Sequence, residues 1–124
     1  MTGTLTYVDN KPNRQASTIG SLIISWTGTA GGAVGAIPVN FNGRIERIVT
    51  NPTDGPSANY DVTLTDADGL DLAQGLLANR HTTTSEEVTP LIGTTHLVPY
   101  RGQITPTVAN SGSAKSGTIT IYYT

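Results

Sequence analysis

Threonine alternates with apolar residues in short runs, and this alternation is the strongest constraint on the fold of the chain. Residues 118–123 read Thr-Ile-Thr-Ile-Tyr-Tyr, and residues 60–65 read Tyr-Asp-Val-Thr-Leu-Thr. Successive side chains of a β-strand point to opposite faces, so each run has one apolar face and one more polar face. The alternation therefore predicts a set of half-buried strands.

The composition is typical of one ordered, strand-rich domain. A chain of 124 residues buries about two thirds of its unfolded surface, which is sufficient for a single core. Disordered chains usually combine low hydrophobicity with high net charge, whereas this chain has a net charge of -2 and 13% charged residues. Because β-branched residues are abundant and favour strands, we expect an all-β protein with a polar surface.

The residue types and their distribution argue against several classes of function. Lysine and arginine are scattered along the sequence, so no cationic cluster predicts binding to nucleic acid. The chain has no cysteine, hence no disulfide, thiolate zinc site or cysteine nucleophile. The longest apolar cluster, residues 22–26, is interrupted by Ser25 and is too short to span a bilayer, and the sequence shows no signal peptide. We therefore expect synthesis in the cytoplasm and no nucleic-acid or membrane partner.

Turn residues divide the sequence into short predicted strands. The nine predicted strands have the bounds 4–8, 21–27, 34–41, 44–50, 59–65, 87–92, 96–100, 103–108 and 118–123. Asn42-Gly43 predicts a tight hairpin between the third and fourth strands, because both residues tolerate positive φ. The two prolines of residues 51–56 predict a loop, and residues 66–69 predict a turn with glycine in the left-handed conformation. Residues 70–80 are predicted to form a loop with a short helix.

The spacing of these strands predicts an antiparallel β-sandwich of jelly-roll or related topology. Turn signals separate the strands, and no long amphipathic helix lies between them as parallel βαβ units require. We expect residues 18–124 to form the sandwich domain. Residues 1–17 combine one predicted strand with a polar segment containing Pro12, and we expect them to serve as an N-terminal strand or arm.

The side chains that most often bind metals form no recognised motif. His81 and His96 lack the spacing of a metal-binding pair, so a structural or solvated role is favoured. Asp66, Asp68 and Asp71 surround a glycine but do not match the ligand positions of a calcium-binding EF-hand loop. We therefore expect a turn whose aspartates bond their own backbone, with a weak cation site as the alternative.

Catalytic arrangements are equally unsupported. Glu86 and Glu87 are adjacent, so they face opposite sides of a strand and cannot act together on one bond. Ser85 or Ser111 can be combined on paper with a histidine and an aspartate, but the sequence contains no G-x-S-x-G nucleophile elbow. The glycine-rich residues 28–32 lack the lysine of a phosphate-binding loop. We predict no catalytic, cofactor-binding or metal-binding residues and no enzymatic activity.

The aromatic residues divide into predicted core positions and candidate contacts. The single tryptophan and the single phenylalanine are expected to pack in the core. Tyr122 and Tyr123 are adjacent, so one faces inward and the other, expected to be Tyr122, faces outward. Because exposed aromatics are enriched at interfaces, Tyr122 is a candidate contact with another chain. Tyr7 and Arg80 complete the predicted protein interface.

Four stretches of the sequence resemble a known group of proteins. Small structural proteins encoded in the virion-gene clusters of tailed bacteriophages have similar local sequence and composition. The similar stretches are residues 60–69, 76–80, 86–90 and 113–123. The resemblance covers the second half of the chain best and includes no catalytic signature. It implies a capsid decoration or cement protein, which binds the outside of the shell as a dimer or trimer and bridges neighbouring capsid subunits.

Several expectations follow from this resemblance. The partners are the major capsid protein and further copies of the chain itself, as a homotrimer or alternatively a homodimer. The protein is made in the host cytoplasm and ends on the capsid surface of the virion. The alternatives are a tail, baseplate or fibre-associated structural protein, and a carbohydrate-binding β-sandwich used for host attachment.

Overall fold

The computed structural model describes residues 4–11, 18–28, 37–56, 58–112 and 115–124. These residues form one antiparallel sheet of eight strands, and no helix occurs within them. The strands are β1 (Thr4–Asn10), β2 (Gly20–Thr27), β3 (Val39–Asp54), β4 (Asp61–Thr65), β5 (Glu86–Val88), β6 (Leu91–Ile92), β7 (His96–Ala109) and β8 (Ser116–Tyr123). Within the same ranges no helix is long and apolar enough to cross a membrane.

Two long strands allow the sheet to fold over itself. The strand order is β1-β2-β8-β3-β7-β4, with β5 paired to β3 and β6 paired to β7. The first half of β3 pairs with β7, which then continues beyond β3 and pairs with β4. Trp26 on β2 and Tyr60 beside β4 lie near opposite ends of this order, yet their ring centroids are 5.2 Å apart. The all-β prediction is confirmed, and the architecture is consistent with a β-sandwich.

The core is formed by the apolar face of each alternating strand. In β8, Ile119, Ile121 and Tyr123 are buried, whereas the threonines and the tyrosine between them are half-buried on the opposite face. β2 and β4 follow the same alternation, and their buried residues include Leu22 and Leu64. Burying each such side chain contributes roughly 1.5–3 kcal/mol. The threonine alternation therefore does predict which face of these strands packs inward.

The predicted hairpin at Asn42-Gly43 is wrong, because β3 runs straight through these residues. Asn42 pairs with Arg101 on β7, and Arg44 exchanges backbone hydrogen bonds with Thr124 at 2.9 and 3.0 Å. Gly43 has a φ of 154°, and a Cβ at this position would lie 2.6 Å from the carbonyl oxygen of Thr124. The glycine therefore serves a close approach between strands, and long-range pairing on both sides overrides the local turn signal.

Other predicted boundaries also change. Residues 51–54 belong to β3 rather than to a loop, and a register shift between Asn51 and Asp54 accommodates Pro52, which cannot donate to the ladder. The two strands predicted over residues 96–108 are one strand, β7, and the strand predicted over 87–92 is divided into β5 and β6. Part of the strand predicted at 34–41 lies outside the described residues.

The short helix predicted within residues 70–80 is also wrong. This segment is a succession of tight turns, closed by backbone hydrogen bonds from Gln74 to Asp71, from Leu76 to Ala73 and from Ala78 to Gly75. Three of its residues have left-handed φ angles, namely Gln74, Gly75 and Asn79 at 58°, 75° and 55°. Such residues stop a right-handed helix, although two leucines of the segment still reach the core.

Candidate protein interface

The side of the sheet opposite the core presents alternate residues of four neighbouring strands. We call this surface the outer face. Its members are Thr4, Thr6, Val8, Asn10, Ser21, Ile23, Ser25, Thr27, Arg47, Val49, Asn51, Ser116, Thr118, Thr120 and Tyr122. Strand register aligns these residues in rows that cross β1, β2, β8 and β3.

One row of the outer face is largely apolar. Val8 pairs with Ile23, Ile23 pairs with Thr120, and Thr120 pairs with Val49. Val8 is 59% exposed, whereas the other three residues are half-buried. The rows on either side consist mainly of hydroxyl and amide side chains. Charge is confined to Arg47 and to the border of the face, where Asp54 pairs with Ser116 and Glu87 pairs with Val49. Interface cores are depleted in charged residues, so this surface has the character of a protein contact.

Tyr122 lies on the outer face, on the opposite side of β8 from the core. The guanidinium carbon of Arg47 is 4.8 Å from the centroid of its ring, and Arg47 also pairs with Glu87 at 3.1 Å. A cation over an aromatic face is attracted by the ring quadrupole, which fixes the ring on the sheet. Tyr123 faces inward, and its hydroxyl donates to Asp9 Oδ1 at 2.5 Å. Burial raises the pKa of Tyr123, and the hydrogen bond and charge of Asp9 raise it further.

Tyr7 and Arg80, the other two predicted contact residues, lie elsewhere. Tyr7 is on β1 opposite Ile24, on the core side of the sheet, and is 43% exposed because β1 is an edge strand. Arg80 forms a bridge with Tyr60, and its side chain, 14% exposed, lies 3.8 Å from Glu86. The structure therefore does not bring Tyr7, Tyr122 and Arg80 together into one surface.

The histidines serve the loops around them. His81 Nδ1 accepts hydrogen bonds from the backbone N–H groups of Thr83 and Thr84, at 3.1 and 3.0 Å. His96 Nδ1 lies 2.9 Å from the hydroxyl of Thr95. In the part of the chain that the structure describes, no group of three or more histidine, aspartate or glutamate residues is arranged to hold a metal ion.

Asp66 and Asp71 accept backbone hydrogen bonds, as the sequence predicts for the aspartates around Gly69. Asp66 Oδ1 accepts from the N–H groups of Asp68 and Leu70, each at 2.9 Å, and the glycine of this turn, Gly69, has a φ of 82°. The Asp71 carboxylate accepts from three further N–H groups at 2.9–3.0 Å, those of residues 64, 73 and 75. Carboxylates with these partners stabilise turns and strand edges.

Glu86 and Glu87 have different partners, which agrees with their expected opposite directions. Glu86 Oε1 accepts from the backbone N–H of His81 at 2.5 Å and faces Arg80. Glu87 pairs with Arg47 beside the outer face. The two carboxylates are therefore employed separately in holding β5 and its neighbours together.

Strand pairing also brings cationic side chains together beside two adjoining surface hollows. The scattered positions of lysine and arginine in the sequence do not predict this grouping. Hollows of about 500 and 440 Å³ share Asn42, Arg101 and Thr124 in their lining. Arg44 lines the first and Lys11 the second. Both hollows are open to solvent, and they lie beside the β3–β7 pairing.

Comparisons with known proteins identify no relative. No family model matches the chain, and neither the curated proteins nor the solved structures searched include a match. Any functional assignment therefore depends on the surfaces described above and on the resemblance of the sequence to small phage structural proteins.

Proposed function

We propose that this chain is a non-enzymatic structural protein of a tailed-phage virion, which binds the outer surface of the capsid as a decoration or cement protein. The observation that supports the proposal best is the outer face. It extends over four paired strands, carries an apolar row and has little charge. Such a surface suits contact with another protein, and the resemblance of the second half of the chain indicates the major capsid protein as that partner.

A repeated shell makes modest contacts sufficient. Each capsid presents the same binding surface many times, so a subunit that bridges two neighbouring capsid proteins gains from effective concentration as well as from direct contact. The row of Val8, Ile23 and Val49 supplies apolar area, while the flanking hydroxyl groups supply hydrogen bonds at the rim.

Binding to purified expanded capsids tests this proposal directly. We expect the wild-type protein to co-sediment with shells and to raise their thermal stability. Val49→Glu places a charge at the β3 end of the apolar row, where Val49 pairs with Glu87, and should weaken binding at least tenfold, because burying an unpaired charge in an interface is costly. Ile92→Glu is the matched control, since Ile92 is an exposed apolar residue, 52% accessible, on β6 rather than on the outer face.

Two results would contradict the proposal. One is a wild-type protein that does not bind shells, and the other is an equal loss of binding in the two variants. Quantitative mass spectrometry of the particle separates the capsid from the tail: hundreds of copies indicate the shell, and a handful indicate the tail, baseplate or fibre. A sugar-binding role has few aromatic side chains for stacking, because Trp26, Tyr60 and Tyr123 are buried and Tyr7 is the most exposed aromatic residue in the described part of the chain.

A further inference from the structure

We propose that β1 is the contact of a two-fold dimer, in which the β1 strands of two copies pair antiparallel and join their sheets edge to edge. The role of such a dimer as a bridging unit on a shell rests on the proposed function, but the pairing itself does not need a shell. Addition of a strand to an open sheet edge supplies main-chain hydrogen bonds and is a recurrent mode of protein association.

The two edge strands of the sheet, β4 and β1, differ in whether another backbone segment covers them. β4, at one end, is covered by the turn segment of residues 70–80. Val62 N–H donates to Leu77 O at 3.0 Å, and Leu64 O accepts from Leu72 N–H at 2.8 Å. β1, at the other end, pairs with β2 alone among the described residues. Among the described residues, the chain therefore covers the β4 edge with its own backbone and gives β1 no second partner strand.

β1 also lacks most of the features by which edge strands usually prevent association, the exception being the inward-pointing charge of Asp9. It contains no lysine and no proline, and its register with β2 is unbroken over seven residues. Its single charged residue, Asp9, has its carboxylate bonded by the Tyr123 hydroxyl. Tyr7 and Val8 are 43% and 59% exposed, so the strand presents apolar side chains next to backbone groups that pair with no second strand in the described part of the chain.

The sequence of β1 fits a second copy of itself. A two-fold axis at Tyr7 allows all seven residues to pair. Thr6 then faces Val8 of the other copy, and Leu5 faces Asp9, so no two like charges lie opposite each other. Opposite residues in an antiparallel pair share a face, so the outer faces of the two copies become continuous. This self-complementarity favours a second copy as the occupant of the edge.

A charge exchange at Tyr7 tests the dimer with purified protein. Sedimentation of the wild type should show a reversible monomer–dimer equilibrium. Tyr7→Lys and Tyr7→Glu each place like charges opposite each other at the axis and should raise the dimer Kd at least about tenfold. An equimolar mixture should recover the dimer, because lysine then faces glutamate. Ile92→Lys, on β6, is the control and should keep the wild-type Kd, and circular dichroism verifies that each variant is folded.

Cross-linking tests the register. The chain has no cysteine, so an introduced thiol is the only one present. Tyr7→Cys brings two thiols together at the axis, where opposite Cα atoms lie about 4.5–5.5 Å apart, and should form an intersubunit disulfide. Val8→Cys should not, because its two copies are diagonal neighbours at about 7–8 Å, although Val8 is the more exposed residue.

Three results would overturn the inference. They are a wild type that remains monomeric at millimolar concentration, a charge-exchange mixture that does not recover the dimer, and a Val8→Cys variant that cross-links as readily as Tyr7→Cys. Shell binding is measured separately, so the two proposals fail separately. A wild-type dimer that ignores shells contradicts decoration alone, whereas a wild-type monomer that decorates shells contradicts the dimer alone.

Discussion

Tyr122 and Tyr123 show how far the direction of one side chain can be predicted from the alternation of residues along a strand. Ile119 and Ile121 set the buried face of β8, so the tyrosine two residues further on must follow them inward. The alternation does not predict which residue contacts each hydroxyl or ring. Asp9 meets Tyr123 across more than a hundred residues, and Arg47 covers Tyr122 because β3 happens to lie beside β8.

The buried tyrosines predict a loss of stability in alkali. Burial raises the pKa of Tyr123 and of Tyr60 above the ordinary value of about 10. As the pH rises past this value, the unfolded chain loses its tyrosine protons first, so the free energy of unfolding falls with pH. Below about pH 10, these tyrosines leave the free energy of unfolding unchanged. Above it, each of them lowers the free energy of unfolding by up to about 1.4 kcal/mol per pH unit.

Urea denaturation between pH 8 and pH 11.5, a range chosen to span the ordinary tyrosine pKa of about 10, measures this slope. Tyr123→Phe removes one of the two groups and should give a shallower decline than the wild type. Ile119→Val is a suitable control, because it lowers stability by roughly 0.5–1.5 kcal/mol without removing a titratable group. Equal slopes for Tyr123→Phe and the wild type would contradict the assignment.

At the scale of the strands, most of the strand positions follow from the sequence, and the breaks between them do not. Alternation of apolar residues locates β1, β2, β4 and β8 to within a few residues. Asn42-Gly43 and Pro52 are strong local turn signals, yet β3 continues through both. β7 and Thr124 pair with β3 on its two sides near Gly43, and β8 pairs with residues on either side of Pro52. Such pairing depends on residues far away in the sequence, so local chemistry cannot reveal it.

Gly43 provides a test of this account of β3. Gly43→Ala should lower the free energy of unfolding by more than about 3 kcal/mol, because the new methyl group meets the carbonyl oxygen of Thr124 and the φ of 154° suits glycine alone. Gly69→Ala is the matched control. Gly69 has a φ of 82°, but a methyl group there would meet no atom within 4 Å, so its cost is backbone strain of about 1–2 kcal/mol. Chemical denaturation that gives equal losses would show that the close approach is unimportant.

At the scale of the whole molecule, the candidate surfaces arise from register, which the sequence does not contain. Val8, Ile23 and Val49 are distant in the chain and form one row only because β1, β2, β8 and β3 pair as they do. The predicted contact residues Tyr7 and Tyr122 accordingly fall on different surfaces. The neutral, hydroxyl-rich character of the outer face is nevertheless visible in the threonine alternation, because each strand contributes its polar side to the same face.

The closed edge of the sheet should depend on Asp71. Its carboxylate accepts backbone hydrogen bonds from Leu64 on β4 and from Ala73 and Gly75 in the turn segment, so it holds that segment against the edge. Asp71→Ala leaves these donors without their acceptor and should lower the free energy of unfolding by about 2 kcal/mol. Asp68→Ala is the control, since Asp68 lies in the neighbouring turn and is exposed.

Amide hydrogen exchange distinguishes this local role from a general loss of stability. In Asp71→Ala, the amides of β4 should exchange faster than those of β2, and light scattering should reveal concentration-dependent association, because an uncovered strand edge pairs with other chains. Asp68→Ala should retain the wild-type pattern in both measurements. Uniformly faster exchange across β2 and β4 in Asp71→Ala would mean that Asp71 supports the whole sheet rather than its edge. In that case the contrast between a closed β4 and an open β1 would need a different physical cause.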